Sequence, residues 1–179
     1  MKKENVMIEW TKVSGFVASE FPEDPNKYAE PALLYALSDL KFLLNERIFP
    51  SPASGALARL GGSTTSQHYA VNRKSTACDI FCEGVPQKVY ENILKVELFK
   101  GIGIYLDTKG PDGRPWVMFH VDIRKIGREG GPLLWVCRKE LNPTTNTKKD
   151  VYHYPTTNEK LQDLLNVPIF LKNKQLGVA

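Results

Sequence analysis

The chain has 179 residues, of which 42% are hydrophobic and 25% charged, the composition of one soluble globular domain with a single core. Twenty-four Lys and Arg against 20 Asp and Glu leave a formal charge of +4. That charge suits an anionic partner, but it is too thinly spread, and too little interleaved with aromatics, for a nucleic-acid footprint.

The first ten residues, Met1–Trp10, carry charges but no apolar core, and no later run is long enough to cross a bilayer. Neither a signal peptide nor a membrane span is expected, and synthesis is placed in the cytoplasm. Residues 6–20 are mixed and read as a short helix or an extended arm. Residues 21–31 are proline-rich and read as a loop. Pro31 is suited to the first position of a helix. Leu33, Leu34, Leu37, Leu40, Leu43 and Leu44 then recur at helical spacing to about residue 46, as a core stripe. Residues 49–67 are small and polar, irregular backbone leading to His68. Residues 76–82 suit a strand, with Ala77, Asp79 and Phe81 on one face and Cys78, Ile80 and Cys82 on the other. Pro86 opens a second helix, with Val89, Ile93, Leu94 and Leu98 inward. Residues 101–106 read as a strand and 107–115 as a turn. Over 116–124, Val117, Phe119, Val121 and Ile123 form an apolar face. Trp116, Met118, His120, Asp122 and Arg124 form the other, polar enough to line a cleft. This strand and 101–106 predict an antiparallel hairpin. Residues 132–138 predict a further strand and 140–150 a polar loop. Thr156 with Glu159 predicts a capping box for a helix to about residue 166. The order is that of an α+β domain.

Two of the chain's three histidines, His68 and His120, fall with Asp79 on segments that a sheet can bring together. Two imidazoles and a carboxylate hold a catalytic Zn²⁺ with one position open for water, and such a water is acidified enough to attack an amide. Asp122 lies two residues from His120 on the same face. It is either the general base or a group that holds a ligand imidazole. Glu83, Asp107 and Asp112 are weaker candidates for the base. Three cysteines are too few for a disulfide framework. Cys78 and Cys82 alternate away from Asp79 and are expected as buried thiols. His153 is expected in a strand or loop, Arg124 as a strand-end ion-pair partner in preference to a substrate clamp, and Trp116 and Trp135 in packing or, failing that, as a cleft wall. The lysines at 148–149 and 172–174 are expected in solvent.

GlyGlySerThrThrSerGlnHis (61–68), AlaCysAspIle (77–80), GlyIleGlyIleTyr (101–105) and PheHisValAspIleArg (119–124) resemble the zinc D-alanyl-D-alanine carboxypeptidases, in their phage and bacterial branch. The resemblance covers about residues 30–124, with the motifs in the family's order. It implies a hedgehog/DD-peptidase-like α+β fold, a central antiparallel sheet flanked by helices. It also implies one Zn²⁺ on His68, Asp79 and His120, with Ser66 near the substrate. Arg59, in SerGlyAlaLeuAlaArg (54–59), takes the place of the anion-binding arginine. The implied activity is cleavage of an amide in peptidoglycan stem peptides, either D-Ala-D-Ala or L-Ala-D-Glu. The implied source is a phage or prophage product released at lysis or carried in a virion.

The chain departs from the family in three ways, the first being SerGlyAlaLeuAlaArg (54–59) where the family usually has a Ser-Gly-Tyr-Arg run. The His68–Asp79 interval is longer than usual, reading as a loop inserted within 69–75. Val117 stands where many members carry an acidic base, so Asp122 is expected to substitute. That absence also admits a non-catalytic relative that binds wall peptide or serves in a virion. The chain is read as one monomeric domain. Residues 1–29 are an N-terminal arm, 30–139 the motif-bearing core, and 140–179 a C-terminal loop and helix.

Overall fold

Pro31 opens the longest helix of the computed structural model, which describes residues 7–125, 132–142 and 144–166. The lysines at 172–174 lie outside the described residues. A short helix, α1 (Pro25–Tyr28), precedes it, with the Asp24 carboxylate accepting from the Asn26 N–H at 3.0 Å. The long helix, α2 (Pro31–Leu44), ends where Asn45 turns left-handed at φ 49°. Leu33, Leu34, Leu37, Leu40 and Leu44 are buried as the spacing predicts; Leu43 is 39% exposed, at the edge of the stripe.

The strands among the described residues are β1 (Ile48–Pro50), β2 (Ala77–Cys82), β3 (Gly101–Lys109), β4 (Pro115–Asp122), β5 (Leu133–Asn142) and β6 (Thr147–His153). Helix α3 (Pro86–Ile93) lies between β2 and β3, and α4 (Asn158–Asn166) follows β6. The six strands form one sheet in the order β1-β2-β4-β3-β5-β6. The sheet is mixed, which corrects the expectation of an antiparallel one: β3 and β5 run parallel. The reason is geometric. Gly101 pairs with Asp122 at the end of β4 and with Leu133 at the start of β5. The chain leaves one side of β3 and re-enters on the other at the same end, so β5 must follow β3's direction.

Period-two alternation sorts the sheet's faces. Cys78, Ile80, Ile102, Ile104, Phe119, Val121 and Val136 join residues of α2, α3 and α4 in one apolar cluster. The opposite face carries Asp79, His120, Gly103 and Trp135 in a single row across four strands. Helices therefore cover one face, and the polar row occupies the other. Ile8, Val13, Phe16 and Phe21 also join the core cluster, so the N-terminal arm packs into the body of the domain.

Several expectations need correction. The polar stretch 140–150 is mostly strand: β5 and β6 form a hairpin through it. Most of its described side chains are exposed, and β6 is the sheet's edge strand, so no apolar alternation marks it. The turn expected over 107–115 is shorter, because β3 runs to Lys109 and β4 starts at Pro115. The segment read as irregular from residue 49 begins inside β1. Leu94 and Leu98 are 42% and 47% exposed, because α3 ends at Ile93 and the inward spacing stops with it. The cap of α4 is Thr157, whose hydroxyl accepts from the Lys160 N–H at 3.3 Å, one residue later than the predicted box.

Candidate metal centre

His68, Asp79 and His120 are buried and converge. Asp79 and His120 are directly opposite each other on β2 and β4. His68 arrives from the loop that precedes β2 and is held by its backbone. Its carbonyl accepts from the Arg59 N–H at 2.7 Å, and its own N–H reaches Ser66 Oγ at 3.3 Å. Thr76 N–H bonds the neighbouring Gln67 carbonyl at 3.0 Å and ties this loop to the start of β2.

The converging atoms are His68 Nε2, His120 Nδ1 and Asp79 Oδ1. His120 Nδ1 is 3.0 Å from each of the other two, and His68 Nε2 is 3.3 Å from Asp79 Oδ1. Donors on a tetrahedral zinc, at about 2.0–2.1 Å from it, stand roughly 3.3 Å apart. The triangle thus has nearly the dimensions of one face of such a site.

Proton placement strengthens the fit. His120 Nε2 is 2.9 Å from Asp122 Oδ2, an ionised carboxylate that can only accept, so Nε2 carries the proton. In a neutral ring Nδ1 then presents a lone pair toward Asp79 Oδ1 and His68 Nε2. With the His68 proton on Nδ1 all three facing atoms are electron-rich and need a cation or a further proton between them; with it on Nε2, His68 itself donates into the convergence. Without a metal the proton answers. Burial by itself lowers the His120 pKa, but the hydrogen bonds to Asp122 and Asp79 outweigh it and raise the pKa above its ordinary 6.5. Asp79 shows the converse: burial raises its pKa, while His120 and His68 pull it well below the usual carboxylate range.

The other predicted site residues fall around this centre. Arg59 is exposed, with its guanidinium 4.0 Å from Asp79 Oδ2 on the solvent side. Ser66 is half-buried in the loop before His68 and supports that residue's backbone. Asp122 is fully buried and bonds the ring edge of His120 remote from the convergence. Its carboxylate accepts from Arg124 Nε at 2.7 Å and from a terminal guanidinium nitrogen. Burial raises its pKa, and Arg124 and His120 lower it to a net value of about 2. Val117 packs against the core cluster on the opposite face. Cys78 and Cys82 are buried on the core side, and burial pushes both thiols up.

Two contributors, Glu23 and Arg73, escaped the sequence reading, and a third, Trp135, was expected only in packing or as a cleft wall. Glu23 holds the loop that carries Arg59: its carboxylate accepts from the N–H groups of Gly55, Leu57 and Ala58 at 2.6, 3.1 and 3.0 Å. Its place in a proline-rich stretch gave no signal. Arg73, inside the long 69–75 segment, donates to the carbonyls of Tyr69, Thr64 and Ser66 and staples the serine-rich loop. Trp135 lies beside the His120 ring, with centroids 5.1 Å apart, and donates from Nε1 to Tyr105 Oη at 3.3 Å. Trp116 instead packs edge-on against Phe49 and Phe81, as expected.

Comparison with protein families, with curated proteins and with solved structures found no match for this chain. The functional reading stands on the geometry and the motifs.

Proposed function

We propose that the chain is a zinc-dependent peptidase with a hedgehog/DD-peptidase-like fold, hydrolysing an amide bond in peptidoglycan stem peptides. The observation that carries this reading is the buried triangle of His68 Nε2, His120 Nδ1 and Asp79 Oδ1, with sides of 3.0–3.3 Å. A zinc ion held there supplies a Lewis acid and a water whose pKa falls to about 7. The protein does the rest. Asp122 keeps the proton of His120 on Nε2 and so keeps Nδ1 free to ligate. Arg59, half in solvent at the rim, offers a planar cation to the carboxylate of a stem peptide. Trp135 and Tyr105 wall the neighbouring row. Of the two roles open to Asp122, general base or holder of a ligand imidazole, the second is therefore assigned to it. It lies behind the ring, with both oxygens engaged.

That assignment also motivates a second reading, a non-catalytic relative that binds wall peptide or serves in a virion. Val117 faces the core and Asp122 lies behind His120, so neither sets a free carboxylate at the mouth. One experiment separates the two. Zinc-loaded protein is incubated with peptidoglycan, and released D-Ala and new amino termini are followed. Release of D-Ala marks a carboxypeptidase, and a new D-Glu amino terminus marks the endopeptidase. Either must vanish in His120→Ala. Bound zinc with no cleavage favours the second reading, and a chain that binds no zinc rejects both as zinc proteins.

A further inference from the structure

We propose that Arg124 is a positioning residue of the metal centre, fixing the ring of His120 through two contacts at once. The inference rests on the metal reading above. Arg124 Nε donates to Asp122 Oδ1 at 2.7 Å, and the Arg124 backbone N–H reaches the same oxygen at 3.1 Å. A terminal guanidinium nitrogen takes Oδ2, the oxygen that also accepts from His120 Nε2. Both carboxylate oxygens are thus set by one residue, and the oxygen that aims the imidazole cannot swing. The same guanidinium lies 5.9 Å from the centroid of Trp135, whose indole lies beside His120. Arg124 therefore touches both groups that touch His120 from behind and from the side.

The backbone is built for this arrangement. A side chain at Gly101 would place its Cβ 2.2 Å from Asp122 Oδ2 and 2.7 Å from a terminal nitrogen of Arg124. Strand β3 leaves that volume to the Arg124–Asp122 pair. The arginine's side chain is only 23% exposed, and its donors point inward. A substrate clamp would turn them outward. A forked guanidinium suits the task because it bonds both oxygens in one plane, which a lysine cannot do.

The test is metal affinity and metal geometry, not turnover. Full-length wild type, Arg124→Met and Arg124→Lys are stripped with chelator and titrated with Zn²⁺ and with Co²⁺, whose visible absorption reports ligand geometry. Circular dichroism controls for folding. Loss of a group that orients a ligand weakens metal binding by about 10–100-fold. Arg124→Met is expected in that range with an altered cobalt spectrum, and Arg124→Lys between it and wild type. A folded Arg124→Met with wild-type affinity and spectrum overturns the proposal, because a purely structural ion pair would leave both unmoved. Should Arg124→Met fail to fold, Arg124→Lys decides: weakened binding supports the role and unchanged binding overturns it. Wild type that binds no metal rejects the metal reading itself, and this proposal with it.

Discussion

Replacing Gly103 by alanine sets two effects of opposite sign against each other. Gly103 is absent from the glycines with positive φ, so an alanine there meets no backbone strain. On chain entropy alone the change would stabilise the fold by about 0.4–1 kcal/mol. The site predicts the reverse. An ideal Cβ at position 103 would lie 2.5 Å from Cε2 and Nε1 of Trp135, where carbon atoms in ordinary contact stand about 3.5–4.0 Å apart. The indole must retreat by about 1 Å. Its bond to Tyr105 Oη is already 3.3 Å long and cannot survive that shift. Overpacking of this kind costs about 1–3 kcal/mol, and the lost hydrogen bond about 1 kcal/mol more. The net destabilisation is about 1–3.5 kcal/mol, a fall in Tm of roughly 3–12 °C for a chain of this size. Thermal melts of wild type, Gly103→Ala, Trp135→Ala and the double variant close a cycle. Gly103→Ala should cost stability only where Trp135 is present. If the cost is the same in the Trp135→Ala background, or if Gly103→Ala stabilises the wild type, the close approach is not what keeps glycine there.

Glu23→Ala removes the acceptor for three backbone donors of the 55–58 loop. It should cost about 2 kcal/mol and open that loop to protease, measured by Tm and by cleavage mapping. Asp122 contributes to acid stability. Its folded pKa of about 2 lies below the ordinary 3.8, so its contribution of about 2 kcal/mol is present above pH 4 and lost as pH falls through 2. Acid unfolding of metal-free Asp122→Asn should lack that part of the pH dependence seen in wild type. The raised His120 pKa means that zinc competes with a proton in the convergence. Zinc affinity should therefore rise between pH 6 and pH 8, with proton release visible by calorimetry in buffers of different ionisation heat; a flat profile would contradict the protonation scheme.

Much of this site is legible in the sequence. The alternation over 116–124 assigned His120 to one face and Phe119 to the other, and period two gave Asp79 the matching face of its strand. The shared face allows the two to meet, and the strand register pairs Asp79 directly with His120. The leucine stripe after Pro31 was equally plain, because burial is what makes its period. What stayed hidden depended on register or on backbone. The role of Asp122 turns on which nitrogen of His120 it meets, and no spacing encodes that. Gly101 and Gly103 read as ordinary strand residues in the sequence, and the need for glycine comes from Asp122, Arg124 and Trp135 lying across them. The parallel pairing of β5 and the exposed strand β6 carried no apolar pattern of their own. Glu23 acts through backbone N–H groups more than thirty residues away, which composition cannot show.

At the centre of the proposed function stands a metal ion held by Asp79 and His120 on one sheet face and His68 from the loop before β2. Titration of the chelator-stripped chain with Zn²⁺ by calorimetry tests it most directly, beside His68→Ala, Asp79→Ala and His120→Ala. The account predicts one saturable site per chain in wild type and its loss in each variant, with the fold retained. No saturable binding in wild type, or binding that survives in all three variants, would contradict it.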